Sequence, residues 1–113
     1  MSASFAYLDS SAFVKLVIPE DESVALRQWL RDWSSRVAST LLRVEVIRSV
    51  MSSGALAIRS ARNQMDLLHF IELNRTLLDS AAMLSQPVRS LDAIHLATAL
   101  SLGADLGVVV TYS

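Results

Sequence analysis

Short apolar runs alternate with longer helical segments along this chain, and the alternation limits the folds that the chain can adopt. Strands are predicted for four runs, Phe5–Leu8, Arg36–Ser39, His69–Leu73 and Leu106–Tyr112. Strands separated by one or two helices pair in parallel through right-handed crossovers, with helices on both faces of the sheet. The sequence therefore predicts an α/β fold, a three-layer α/β/α sandwich with a short central parallel sheet. Its last run, with three successive valines, is predicted to be a buried central strand.

The composition is that of a small domain without cysteine chemistry. The chain has 113 residues, of which 52% are apolar, and it has no cysteine, which excludes disulfides, thiolate zinc sites and cysteine nucleophiles. No apolar run approaches the roughly 20 residues of a membrane helix, and no basic residue precedes Asp9, as one would in a signal peptide. We therefore predict one domain over residues 1–113, a cytoplasmic location and no membrane partner. The excess of apolar residues predicts a surface that a partner or a second copy covers.

The charge balance limits how the chain can bind nucleic acid. Ten basic and eleven acidic residues give a net charge of −1. A protein that coats nucleic acid is clearly basic, because neutralising phosphates drives that binding. If this chain acts on RNA, we expect a local contact that a metal ion assists.

Three acidic residues, Asp9, Glu45 and Asp92, lie in three separate apolar segments. A buried carboxylate without a partner is costly or takes up a proton, and no lysine or arginine is placed to pair with all three. Mg²⁺ and Mn²⁺ prefer oxygen ligands. The three acids therefore predict a Mg²⁺ or Mn²⁺ site at the carboxyl edge of the sheet, of the kind that supports cleavage of a phosphodiester by water.

Each acid also has a purely structural interpretation. Asp9 is in the position of a helix N-cap, and Asp92 lies at a helix N-terminus, where the macrodipole favours a negative charge. Glu45 can pair with Arg48 on a solvated helix face. For His95, three residues after Asp92, we favour a packed helical histidine over a base or a group that orients a ligand.

The two helices that carry Glu45 and Asp92 have predicted faces and caps. The core stripe of the first is expected to consist of Val44, Ile47 and Met51, which puts Glu45 on the polar side. The second helix is expected to be capped by Ser90.

Four blocks of the chain together form a recognisable pattern. They are Tyr7–Leu16, Arg43–Val46, Arg89–Leu100 and Gly103–Tyr112. In this order and spacing they resemble the PIN-domain ribonucleases, specifically the VapC toxins of bacterial toxin–antitoxin pairs. The resemblance implies a PIN-like fold and a Mg²⁺- or Mn²⁺-dependent endoribonuclease of a type II system, which a cognate antitoxin holds inactive.

The resemblance also implies roles for single residues. Asp9, Glu45 and Asp92 would be the catalytic metal ligands, and Ser11 would be the hydroxyl that supports the first carboxylate. The implied substrate is RNA, such as tRNA or another structured RNA, and the excess apolar surface suits a homodimer.

The sequence departs from the family pattern after its last strand. An aspartate usually follows the Thr-Tyr pair there, whereas this chain has Ser113, which we retain as a supporting residue, and it lacks the closing segment of about one helix and a short strand. The alternative is therefore a catalytically impaired or inactive PIN-like module that acts through antitoxin binding or self-association. A phospho-accepting receiver domain is set aside, because it needs a lysine after a late strand and Lys15 is the last lysine here.

Overall fold

The computed structural model describes residues 5–112, so Ser113 lies outside the described residues. The four strands are β1 (Phe5–Leu8), β2 (Ser35–Ser39), β3 (His69–Ile71) and β4 (Leu106–Val110). The six helices are α1 (Ser10–Val17), α2 (Ser23–Leu30), α3 (Leu41–Val50), α4 (Ala55–Met65), α5 (Arg75–Ala82) and α6 (Ser90–Leu100). Within residues 5–112, no helix is long and apolar enough to cross a membrane.

The strands form one parallel sheet in the order β3-β2-β1-β4, which confirms the predicted α/β class. The position predicted for β4 is wrong, because β2 and β1 take the two inner places and β4 lies at the end of the order, paired with β1. Val109 on β4 is 38% exposed. Valine favours strands at an edge as well as at the centre, so its run did not distinguish the two.

Helices cover both faces of the sheet, as the alternation of side chains along β1 shows. Ala6 and Leu8 face the main core, which also contains Phe13 of α1 and Leu42 of α3. Tyr7 points to the opposite face, where it packs with residues of β2 and α6. The strand therefore anchors two layers at once.

The predicted core stripe of α3 is wrong for two of its three residues, since only Ile47 packs against the core. Leu42, Val46 and Val50 are fully buried, whereas Val44 is 59% and Met51 is 51% exposed. Apolar residues occur on several sides of this helix, so the pattern alone does not choose the face that packs. The observed face places Glu45 beside buried Val46, at the boundary of the core, with 21% of its side chain exposed.

Small side chains set the position of α6. Ala93 and Ala97 pack against Ala81 of α5, and Ala99 packs with Tyr7 beneath the sheet. Ser90 is the first residue of this helix, not its cap. The close packing brings the first turns of α6 to the carboxyl ends of β1 and β4.

Candidate functional site

A cavity of about 220 Å³ lies at the carboxyl edge of the sheet, where ligands bind in open α/β folds. Asp9 enters it from the end of β1, and Asp92 and His95 enter it from α6. Thr111, just after β4, completes the polar lining. Two larger cavities, of about 290 and 500 Å³, are lined without any carboxylate, so the smaller one is the candidate site.

Hydrogen bonds hold the Asp9 carboxylate on both oxygens. Oδ1 accepts from the Ser11 hydroxyl at 2.6 Å and from the Ala12 amide at 3.1 Å, and Oδ2 accepts from the Thr111 hydroxyl. Asp9 is therefore the N-cap of α1, as predicted, and the Ser11 contact implied by the resemblance is present. An ionised carboxylate oxygen has two lone pairs, so Oδ2 keeps one for a cation or a water.

Glu45 has two partners, and both bind the same oxygen. Its Oε1 accepts from the Ser10 hydroxyl at 2.5 Å and lies 2.6 Å from His95 Nε2. Glu45 is thus paired with the imidazole of His95, and the pair considered with Arg48 is wrong. Adjacent serines at the start of α1 therefore orient two different carboxylates, since Ser11 binds Asp9 and Ser10 binds Glu45.

His95 is the buried helical histidine that we expected, with 7% of its surface exposed. Both of its ring nitrogens have partners, because Nδ1 lies 2.8 Å from the hydroxyl of Tyr7 and Nε2 binds Glu45. Burial raises the pKa of Tyr7 well above its ordinary value, so this hydroxyl keeps its proton. The ring of His95 thereby links buried Tyr7 to Glu45.

Asp92 differs from the other two acids. It lies in the first turn of α6 and is exposed, and no hydrogen bond or ion pair holds its carboxylate within residues 5–112. The expectation of three buried carboxylates is therefore wrong, because Asp9 and Glu45 are half-buried and Asp92 faces solvent. The helix macrodipole accounts for an acid at this position but does not account for its place on the cavity.

The predicted three-acid cluster is only partly assembled. Within the described part of the chain, no three carboxylate or imidazole groups are close enough to enclose a metal ion. Asp9 and Asp92 share the cavity, and Glu45 reaches it through His95. Mg²⁺ is usually held by one or two carboxylates, with water and substrate phosphate as its other ligands, so this donor set fits such an ion.

Three residues around these acids were missed from the sequence. Ser10 and Thr111 each donate to an acid, and Tyr7 binds His95. Tyr7 precedes Asp9 by two residues, and this strand spacing places both side chains on one face. The hydroxyl after β4 carries no comparable signal, because its partner Asp9 lies about a hundred positions earlier in the sequence.

The chain belongs to the PIN domain family, whose model matches residues 6–112. A protein named Ribonuclease VapC46, from Mycobacterium tuberculosis, is 47% identical over 107 residues, which are 94% of this chain and 82% of that protein. The resemblance to VapC-type PIN domains is therefore confirmed.

Two solved structures share the fold. The M. tuberculosis toxin VapC20, described as cleaving the sarcin–ricin loop, superposes with a TM-score of 0.76 at 14% identity, over 96% of this chain and 89% of that one. A chain of a toxin–antitoxin complex from Klebsiella pneumoniae superposes with a TM-score of 0.73 at 20% identity. The match covers 96% of this chain and 98% of that one. Both likenesses confirm the PIN-like architecture.

Proposed function

We propose that this chain is a Mg²⁺- or Mn²⁺-dependent endoribonuclease, the toxin of a type II toxin–antitoxin pair. The observation that carries the proposal is the shared cavity, because Asp9 and Asp92 come from opposite ends of the chain and line the same edge of the sheet. Its membership of the PIN family and its similarity to a protein named as a ribonuclease support the same conclusion.

The residues of the cavity would divide the work of RNA cleavage. Asp9 Oδ2 and the Asp92 carboxylate would hold the cation, which when bound offsets charge on the phosphodiester and makes a water more acidic. Ser11 and Thr111 keep Asp9 in one orientation. Apolar Val88, Leu96 and Val109 line the rest of the cavity and lower the local dielectric, which strengthens the attraction between the carboxylates and a cation.

The proposed partners are RNA, a cognate antitoxin and a second copy of the chain, with the cytoplasm as their location. Several large apolar side chains are left uncovered, including Met83 at 84%, Leu56 at 77% and Leu67 at 73% exposure. Exposed apolar side chains on several helices are consistent with surfaces that partners cover. The net charge of −1 predicts that RNA is held locally at the cavity.

The direct test is cleavage of total tRNA by the purified protein with Mn²⁺, with and without EDTA. We expect cleavage by the wild type, none in EDTA and none by Asp92→Asn, which removes charge but conserves shape. Asp66→Asn, the same change at an exposed position at the end of α4, is the matched control and should cleave normally. Cleavage that persists in EDTA or in Asp92→Asn would overturn the proposal.

The second candidate is an inactive PIN-like module that acts through binding. It is favoured by one observation, the lack of an enclosed three-acid cluster within residues 5–112. Ser113 bears on the same choice, since an acid there would add an oxygen ligand. We expect Ser113→Asp to raise Mn²⁺-dependent cleavage; a folded protein that cleaves neither as wild type nor as this variant would favour the inactive module.

A further inference from the structure

A chain of hydrogen bonds runs from the core of the protein to the acidic edge. The Tyr7 hydroxyl lies 2.8 Å from His95 Nδ1, and His95 Nε2 lies 2.6 Å from Glu45 Oε1. Tyr7 is fully buried and His95 is 7% exposed, so water does not compete for these bonds. This series of hydrogen bonds joins β1, α6 and α3, and α3 packs on the other face of the sheet.

With Glu45 ionised and the ring of His95 neutral, the direction of each bond follows from its donors and acceptors. An ionised Glu45 only accepts, so Nε2 of His95 carries a proton and donates it. In the neutral ring, Nδ1 is then an acceptor, and its donor is the hydroxyl of Tyr7. Each member therefore holds the next in a single orientation.

The strand and the helix that carry Tyr7 and His95 also position the two acids at the cavity. Tyr7 lies on β1, and Asp9 directly follows the strand in extended backbone, two residues after Tyr7 and therefore on the same side. On α6, His95 follows Asp92 by three residues, which places the two on one side of the helix, and both line the cavity. The position of Glu45 is thereby tied to the positions of the two acids at the cavity.

We propose that Tyr7 and His95 are positioning residues that fix the Glu45 carboxylate beside the cavity. His95, whose ring Tyr7 orients, holds Oε1 together with Ser10, and Oε2 is left to bind a water or a cation. This inference rests on the proposed function, because it assigns Glu45 a place in the same metal-assisted cleavage. Loss of a hydrogen bond to a ligating carboxylate typically lowers metal affinity or activity about 10- to 100-fold.

A merely structural histidine predicts a different pattern. A buried imidazole needs bonded partners whatever its role, so any substitution of His95 would destabilise the fold. Only a positioning role makes the loss of Mn²⁺ binding and RNA cleavage depend on which ring nitrogen is replaced.

The test compares two amides at position 95. In His95→Gln the side-chain nitrogen reaches the place of Nε2 and can still donate to Glu45, whereas in His95→Asn it reaches only the place of Nδ1. We expect His95→Asn to weaken Mn²⁺ binding, measured by calorimetry, and single-turnover RNA cleavage about tenfold or more. His95→Gln should retain most of both, and equal losses in the two variants would overturn the inference.

A double-mutant cycle tests whether His95 acts through Glu45. In a Glu45→Gln background, His95→Asn should cause no further loss of Mn²⁺ affinity, because the group that it positions is already changed. Additive losses would contradict the inference. If His95→Asn does not fold, Tyr7→Phe replaces it, since it keeps the ring of His95 and should lower Mn²⁺ affinity in the same direction.

A metal-free measurement separates this inference from the proposed function. Long-range ¹H–¹⁵N spectra should show His95 protonated on Nε2, with an Nδ1 resonance that moves in Tyr7→Phe. The chain has two histidines, so His69→Gln completes the assignment. A folded wild type without Mn²⁺ binding or cleavage would overturn both proposals; normal binding and cleavage with a different tautomer would overturn this inference alone.

Discussion

The two sides of the acidic cavity are built differently. On one, which we call the held side, hydrogen bonds from α1, α6 and the end of β4 fix Asp9 and Glu45. On the other, the open side, Asp92 projects from the first turn of α6 without a hydrogen-bonded partner in residues 5–112. The fold therefore orders the held side in advance and leaves the open side to adjust when a cation or RNA binds.

This difference predicts a separation between activity and stability. Ordered polar groups lose side-chain freedom during folding and gain hydrogen bonds, so their substitution affects both properties. An exposed acid contributes charge at the site but few contacts to the fold. Substitution of Asp92 should therefore affect activity alone.

The largest expected effect is the loss of RNA cleavage from either side. We expect Asp9→Ala and Asp92→Ala each to reduce cleavage roughly a hundredfold or more, because each removes a proposed oxygen ligand of the cation. Single-turnover cleavage of tRNA in Mn²⁺ measures this effect. Near-normal cleavage in only one variant would show that just one side of the cavity is needed.

Stabilisation by metal should require both sides. A ligand that binds only the folded state stabilises it by about 2.7 kcal/mol at a hundred times its dissociation constant. Mn²⁺ should therefore raise the Tm of the wild type, and the rise should shrink in Asp9→Asn and in Asp92→Asn. An equal rise in all three proteins would place the cation elsewhere.

Stability without metal should separate the two sides. Asp9→Ala removes an N-cap and two further hydrogen bonds, and we expect it to lower the free energy of unfolding by about 1–2 kcal/mol. Asp92→Ala should change it by no more than about 0.5 kcal/mol, as exposed substitutions usually do. Urea denaturation in EDTA measures both free energies of unfolding. Equal losses in the two variants would contradict the difference between the held side and the open side.

The paired serines divide the held side further. Ser11→Ala removes the hydroxyl bound to Asp9, and Ser10→Ala removes the one bound to Glu45. We expect each to lower the free energy of unfolding by about 1 kcal/mol. If Glu45 contributes to the site, Ser10→Ala should also weaken Mn²⁺ binding. Weaker Mn²⁺ binding in Ser11→Ala alone would restrict the site to Asp9 and Asp92.

The smallest expected effect comes from an exposed ion pair at the other end of α1, which serves as a reference. Lys15 donates to Glu22 at 2.8 Å and thereby lowers the pKa of Glu22. A carboxyl whose pKa is lower in the folded state stabilises the fold above its unfolded pKa and loses this contribution as the pH falls through its folded pKa. Glu22→Gln should therefore lower the Tm slightly at pH 7 and not at strongly acidic pH. A Tm change as large as that of Asp9→Ala would show that surface pairing matters as much as the held side.

Local patterns in the sequence predicted much of the fold. The spacing of apolar residues located all four strands and the helices that carry Glu45 and Asp92, and the acid after β1 correctly predicted an N-cap. These signals need only neighbouring residues. The wrong face of α3 and the misplaced β4 have a common cause, because valine-rich segments satisfy more than one packing arrangement.

The candidate site was less predictable, because its bonds join residues that are distant in the sequence. Tyr7 and His95 are 88 positions apart, and no local period connects them. The free-energy cost of burying a carboxylate was also a poor guide to Asp92, because the fold leaves this residue exposed. Their place in apolar segments and the family resemblance both pointed to these acids as one site, but their geometry required the packed structure.

The separation between Asp9 and Thr111 has a consequence for synthesis. The two residues are 102 positions apart, and β1 pairs with β4 over the same interval. A ribosome that adds about 5–20 residues per second makes the second partner roughly 5–20 seconds after the first. Until β4 has left the exit tunnel, the nascent chain carries Asp9 without its Thr111 partner and β1 without one of its neighbours. The cavity thus cannot form until the ribosome has made both β1 and β4.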